Sequence, residues 1–303
     1  MKQKWIATAD SFADALAELG AKHTEIVLLD AFTDGDALSE YFCRAFRERY
    51  RHCAEENAMC IASELAYAGC VPFVFTRIDG VPPAPKRADS VDNPNIKIVI
   101  SDGILPEKSP AGNIAPVYRE PDAITICPSD ATEARAALKA SYAHRGTVYL
   151  RLSKQAVPIF HAESFPFEIG KGEVVACGND IAIVANGIAT HTALKASKSL
   201  AAIGIHAMVI NMATVQPLDE RLLLAAAKKC GKVILCEETS VTGSLCEAAA
   251  AALGEISPTD VAYIGISANT GKAAGAAPEK RSPDAAEQIF AMAIKLLKKP
   301  GFS

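Results

Sequence analysis

The chain has 303 residues, with 31 Lys and Arg against 35 Asp and Glu for a net charge of −4, and half of its residues are apolar. That length predicts two domains, each able to bury its own core. Charged residues are interspersed with apolar runs of strand and helix length, which excludes a fibrous or disordered chain, and no basic stripe marks a nucleic-acid binder.

In chain order, Val- and Ile-rich runs predict strands at Glu25 to Asp30, Val71 to Thr76, Ile96 to Ser101, Ile124 to Cys127 and Val148 to Leu152. A second series follows at Ile181 to Ala185, Ala207 to Asn211, Val233 to Cys236 and Val261 to Ile266. Between them, helical periodicity predicts Ser11 to Leu19, Asp36 to Arg49, Ala54 to Ala68, Asp130 to His144, His191 to Ile203, Asp219 to Lys229, Ser244 to Leu253 and Pro283 to Lys298. Strands alternating with helices are the sequence form of a mainly parallel α/β sheet. Asp130 followed by Glu133 reads as an N-terminal cap, and Gly204 and Gly231 as C-terminal stops. Periodicity lapses from Pro158 through Pro166 to Gly172, which divides the chain into expected domains over 1–165 and 166–303.

Other features carry weaker expectations. The basic clusters Arg44 to Arg51 and Lys295 to Lys299 read as solvated helix faces. Nine cysteines form no C-x-x-C pair and most lie in apolar stretches, so they read as reduced core residues rather than metal ligands. Apolar runs fall short of the roughly 20 residues of a spanning helix, and Met1 to Asp10 lacks a signal core, so the expected compartment is the cytoplasm. Two proline-rich segments, Arg77 to Asn95 and Asp102 to Asp122, each follow the C-terminal end of a predicted strand, where open parallel sheets bind ligands.

The richest stretch is His52-Cys53-Ala54-Glu55-Glu56-Asn57-Ala58-Met59, in which two adjacent carboxylates open a helix of small residues, followed by Pro72-Phe73-Val74. Taken alone, the two acids read as a helix cap favoured by the macrodipole together with a solvated acid. The segment resembles the G-I-A-E-Q-N-M and P-F-V motifs of the transketolase family. The resemblance continues through Lys97-Ile98-Val99, Cys127-Pro128-Ser129-Asp130-Ala131-Thr132-Glu133 and Val148 to Pro158, then Asp180 to Gly187, Val209 to Met212 with Gln216 to Asp219, and Glu237 to Ser244.

This resemblance implies an α/β fold of two domains: a thiamine-diphosphate-binding-fold pyrimidine domain with a mainly parallel sheet, and a smaller three-layer α/β C-terminal domain. It implies a thiamine diphosphate cofactor with Mg2+, and a catalytic role for Glu55, whose family counterpart hydrogen-bonds the aminopyrimidine ring. A protonated carboxyl facing a ring nitrogen in a dry pocket can share its proton without stranding a charge. Glu56 stands where the family usually has Gln and reads as neighbouring support. Phe73 and Phe75 are candidates for packing the cofactor ring, with a plain core role as the alternative for Phe73. Lys154 matches a family arginine that binds the phosphate of a sugar substrate, supplying charge without the guanidinium fork.

The chain also departs from the family pattern. The arginine helix expected after the P-F-V strand becomes the proline-rich Arg77 to Asn95, and the histidine loop becomes Leu105 to Asn113, which has no histidine. The D-A-D segment becomes Asp30-Ala31-Phe32, and Asp34-Gly35-Asp36 inverts the G-D-G order of the diphosphate-binding domain. The chain therefore resembles the second subunit of a split transketolase. The implied partner is an N-terminal subunit carrying the diphosphate-binding domain and most of the Mg2+ ligands, in a heterotetramer with this chain or around a homodimer of it. Other readings are the β subunit of a 1-deoxyketose synthase or of a 2-oxoacid decarboxylating enzyme, or a non-catalytic transketolase-like partner.

Overall fold

A computed structural model describes residues 4–31, 37–76, 93–101, 122–237, 245–256, 259–265 and 284–298. The chain forms two compact units. Of the described residues, the first holds those of 4–101 and 122–171 together with Thr214–Pro217, and the second those of Gly172–Ala213 and from Leu218 onward.

The first unit contains β2 (Ile26–Asp30), β3 (Tyr50–His52), β4 (Val71–Thr76), β5 (Lys97–Ile100), β6 (Ile124–Ile126) and β7 (Val148–Arg151), all mutually parallel. Their order in the sheet is β6-β7-β5-β4-β2-β3, and β12 (Thr214–Gln216) adds an antiparallel edge beside β6. A separate antiparallel pair joins β1 (Trp5–Ala7) to β8 (Ala156–Pro158). The helices are α1 (Thr8–Gly20), α2 (Ala37–Ala45), α3 (Glu55–Tyr67) and α4 (Ala131–Ala143).

Strand alternation sorts the core of this unit. Leu28, Phe73, Phe75, Val99, Val148 and Leu150 face one way and pack with Phe12 and Leu16 of α1, Phe42 of α2 and Leu138 of α4. Leu29, Val74, Ile98 and Ile100 alternate to the other face, and no residue of α3, which packs on β4, joins that aromatic core.

Two expectations are corrected here. The helix expected to run to Arg49 ends at Ala45, and a 3-10 turn at Arg47–Arg49 leads into β3. The cause is Arg49, which is not solvated. Its guanidinium lies 4.0 Å from the Phe46 ring centre and donates to the carbonyls of Gly20 and His23, closing the C-terminal end of α1. Of the nine cysteines, only Cys127, Cys236 and Cys246 are buried, while Cys60 and Cys177 are exposed.

At the start of α4, the Asp130 carboxylate accepts the Glu133 N–H at 2.9 Å, as the sequence predicts. Glu133 reaches one residue further back than a capping box, accepting from the N–H and hydroxyl of Ser129. The second Asp130 oxygen accepts the N–H groups of Phe160 and His161 and lies 3.0 Å from His161 Nδ1. Burial alone would raise this acid, but the His161 side chain and the backbone donors outweigh it and hold its pKa at about 2. Since an unfolded aspartate titrates near 3.9, Asp130 contributes about 2–3 kcal/mol that is present above pH 4 and lost as pH falls toward 2. Asp130→Asn should lower stability at pH 7 by roughly that amount and flatten this acid-unfolding limb, measured by urea denaturation at pH 3, 5 and 7.

The second unit has the strand order β14-β13-β10-β11-β9. Four strands, β10 (Ile181–Ala185), β11 (Ala207–Asn211), β13 (Lys232–Glu237) and β14 (Asp260–Gly265), are parallel, and β9 (Glu173–Ala176) runs antiparallel at the edge. Ile181, Ile183, Val209 and Ile234 pack under α5 (Ala189–Ala201) and α8 (Ala285–Leu297). Helices α6 (Glu220–Cys230) and α7 (Leu245–Ile256) stand outside that core and complete a three-layer arrangement. Gly231 ends α6 at φ +69, a left-handed position that suits glycine. Gly178 lies so close to His206 that a Cβ would meet its carbonyl oxygen at 2.3 Å, so the turn before β10 admits no side chain there.

Candidate active site

The parallel strands β2, β3 and β4 all end at the same edge of the first unit's sheet. In an open α/β sheet this carboxyl edge is where ligands bind. Asp30 closes β2, Thr76 closes β4, and His52 closes β3 two residues before Ala54 caps α3. Pairing of β2 with β3 extends past the strand, because the Cys53 N–H donates to the Asp30 carbonyl at 3.0 Å. That bond fixes the position from which α3 starts.

Glu55 is the first residue of α3. Ala54 supplies no side-chain cap, so the free N–H groups of the first turn favour a carboxylate beside them. Glu55 is half-buried, and its Oε1 accepts a hydrogen bond from the Thr76 hydroxyl at 3.2 Å. Among the described residues Oε2 has no partner. Glu56 is exposed.

A second acid stands on the neighbouring strand. Asp30 is fully buried and its Oδ2 accepts from the hydroxyls of Ser39, at 2.6 Å, and Tyr50, at 3.0 Å. Burial, reinforced by the Asp30 charge, pushes the Tyr50 phenol up to about 12. The same two causes raise the Cys53 thiol above its usual range. Both groups therefore stay protonated at neutral pH and act as fixed dipoles.

Lys154 is exposed in the turn between β7 and β8. Its neighbour Ser153 is tied to the start of α1: the Ser153 N–H donates to the Thr8 hydroxyl at 2.8 Å, and the Ala9 N–H donates to the Ser153 carbonyl at 3.1 Å. The turn follows the carboxyl end of β7, so Lys154 shares the edge that carries Glu55. β7 lies two strands from β4, about 10 Å by strand spacing. Phe73 and Phe75 are not brought to this edge as a pair of rings. Both are fully buried in the aromatic core with Phe12, on the face of β4 opposite Val74 and Thr76.

Thr76, Ser39 and Tyr50 escape the sequence reading. The available signal was a lone hydroxyl ending the otherwise apolar strand Val71-Pro72-Phe73-Val74-Phe75-Thr76. Residues 77–92 and 102–121 of the proline-rich segments, with them the Leu105 to Asn113 loop, and Asp34-Gly35-Asp36 lie outside the described residues, as does Glu237 to Ser244 beyond Glu237. Among the described residues no group of three or more His, Cys, Asp or Glu could hold a metal ion, and no helix is long and apolar enough to cross a membrane.

Residues 4–159 match the transketolase pyrimidine-binding domain, and residues 170–280 match the transketolase C-terminal domain. The chain is 33% identical to the 6-deoxy-6-sulfo-D-fructose transketolase subunit SqwH of Clostridium sp. over 278 residues, covering 88% of this chain and 86% of that subunit. It is 29% identical to an apulose-4-phosphate transketolase subunit of Phocaeicola vulgatus, over 88% of this chain and 89% of the relative. A solved split-gene transketolase, described as an inactive β4 tetramer, superposes with a TM-score of 0.80 at 31% identity, covering 96% of this chain and 98% of that one. The chain belongs to the transketolase family and carries its pyrimidine-binding and C-terminal domains.

Proposed function

We propose that Glu55 of this chain meets the aminopyrimidine ring of a thiamine diphosphate bound, with Mg2+, largely by a partner subunit that carries the diphosphate-binding domain. The family implies the cofactor. The residues present fit its ring half: a half-buried carboxyl with one oxygen held by Thr76 and the other without a partner among the described residues. That arrangement is the observation that carries the reading. Bound there, the cofactor supplies the electron sink for making and breaking the bond to a two-carbon ketol unit. The chain supplies the Glu55 carboxyl, held through Oε1 by Thr76 at a preformed sheet edge, and Glu56 supports it from the first turn of α3. Phe73 and Phe75 act underneath, as packing that fixes β4 and with it Thr76.

The transferred unit moves between sugars with an anionic end. Relatives are named for a sulfonated ketose and for a sugar phosphate, and Lys154 stands exposed at the same edge as Glu55. Lysine suits either anion, as a point charge without fork geometry. A similarity of 32% identity over 77% of this chain to a 1-deoxy-D-xylulose-5-phosphate synthase of Geobacter sulfurreducens keeps a 2-oxoacid donor as a second reading. The nine cysteines suit the cytoplasm.

The test is reconstitution. The chain is expected to be inactive alone and to transfer a two-carbon unit from a ketose phosphate once mixed with an N-terminal transketolase subunit, thiamine diphosphate and Mg2+. Sedimentation of the mixture should show a heterotetramer. Turnover of pyruvate with release of carbon dioxide, and none of ketose phosphate, would move the assignment to the second reading.

A further inference from the structure

Resting on the reading of Glu55 as the proton-holding group, we propose that Thr76 is a positioning residue that decides which oxygen of the Glu55 carboxyl carries the proton. The two residues are 21 positions apart and belong to different elements, a strand end and a helix start, joined by the hydrogen bond from Thr76 Oγ1 to Glu55 Oε1 at 3.2 Å. Thr76 is nearly fully buried, and its backbone is fixed by pairing with Ile100 of β5. As a β-branched residue it has few χ1 choices, so its hydroxyl is aimed before anything binds.

A glutamate at a helix start has three rotatable side-chain bonds and two equivalent oxygens. The Thr76 donor removes both freedoms. An oxygen that already accepts a hydrogen bond is the carbonyl-like one, so the acidic proton resides on the other, Oε2. When that proton leaves, negative charge spreads onto Oε1, where a donor is already oriented and nothing has to reorganise. On the opposite face, Phe75 fills the core directly beneath, so the strand end cannot shift to follow a wandering carboxylate.

Thr76→Val is close in shape and removes the hydroxyl alone. In the enzyme assembled with its partner subunit, this variant should lower kcat about tenfold, the loss expected for a hydrogen bond to a group that becomes charged. By titration calorimetry, the assembled enzyme should bind thiamine diphosphate several-fold more weakly. Thr76→Ser, which keeps the hydroxyl, should restore both values to within about threefold of wild type. The double variant with Glu55→Gln should be no slower than Glu55→Gln alone, because Thr76 acts through that carboxyl. Wild-type turnover and cofactor affinity in Thr76→Val would overturn the proposal, and so would a further tenfold loss in the double variant. Full activity of Glu55→Gln itself would overturn the Glu55 reading, a failure separate from that of Thr76.

Discussion

Glu55→Gln should lower the kcat of the reconstituted enzyme by roughly a hundred- to ten-thousand-fold, the range for loss of a positioned acid–base group. Glutamine keeps the shape of the side chain, can still accept from Thr76, and cannot hold or release the proton. The fold should survive. Glu55 is half-buried, provides no cap hydrogen bond at Ala54, and contributes to α3 mainly through its charge beside the first turn. Such a charge is typically worth about 0.3–1 kcal/mol, too little to unfold the domain. The thermal midpoint should therefore move by only a few degrees while turnover collapses. Assays across cofactor concentration separate the two effects, since a binding defect alone would be recovered at saturation and a lost proton would not. A variant within twofold of wild-type kcat at saturating cofactor would remove Glu55 from the chemistry.

The long parallel strands were legible because a strand buried on both faces must be apolar throughout. Val71–Thr76, Ile181–Ala185 and Ala207–Asn211 begin and end where their Val- and Ile-rich runs do. The short strands Trp5–Ala7, Tyr50–His52, Ala156–Pro158, Glu173–Ala176 and Thr214–Gln216 were not. All stand at sheet edges or in a two-stranded pair, and each has too few residues for a period to show. Arg49 illustrates a second limit. In sequence it belongs to a run of charges, yet its guanidinium is consumed by carbonyls of Gly20 and His23, which lie more than twenty positions away. The same holds at the site. Glu55 was visible through a family motif, and Lys154 through another, but the hydroxyl that orients Glu55 arrives from a different element. Ser39 and Tyr50, which converge on Asp30, are equally non-local. Phe73 and Phe75 show the converse, since an aromatic in a motif beside a site looks the same in sequence whichever face of the strand it occupies.

Lys97→Met is expected to destabilise the chain by about 1–3 kcal/mol at neutral pH, since it strips a buried donor from three acceptors at once while relieving the desolvation of the ammonium. Lys97 opens β5 and is fully buried, with no carboxylate among its hydrogen-bond partners. Its Nζ donates to Asn95 Oδ1 at 2.8 Å, to the His144 carbonyl at 2.8 Å and to the Gly146 carbonyl at 2.9 Å. These three bonds tie the turn after α4 to the approach to β5, a junction that the Thr147 hydroxyl reinforces through the Pro94 carbonyl. Methionine fills the same channel and satisfies none of the three oxygens. Burial also pushes the Lys97 ammonium down to about 7. In the unfolded chain a lysine keeps its proton to about pH 10.4, so between pH 7 and 10 the unfolded state binds more protons than the folded one. This side chain therefore makes stability rise with pH over that window, by up to about 1.4 kcal/mol per unit, and contributes no slope below it. Urea denaturation at pH 7 and pH 9 should show the wild type gaining on Lys97→Met by roughly 2 kcal/mol. Parallel pH dependence in the two proteins would mean that the ammonium is not desolvated in the fold, and a Lys97→Met chain as stable as wild type would mean that the three oxygens find other donors.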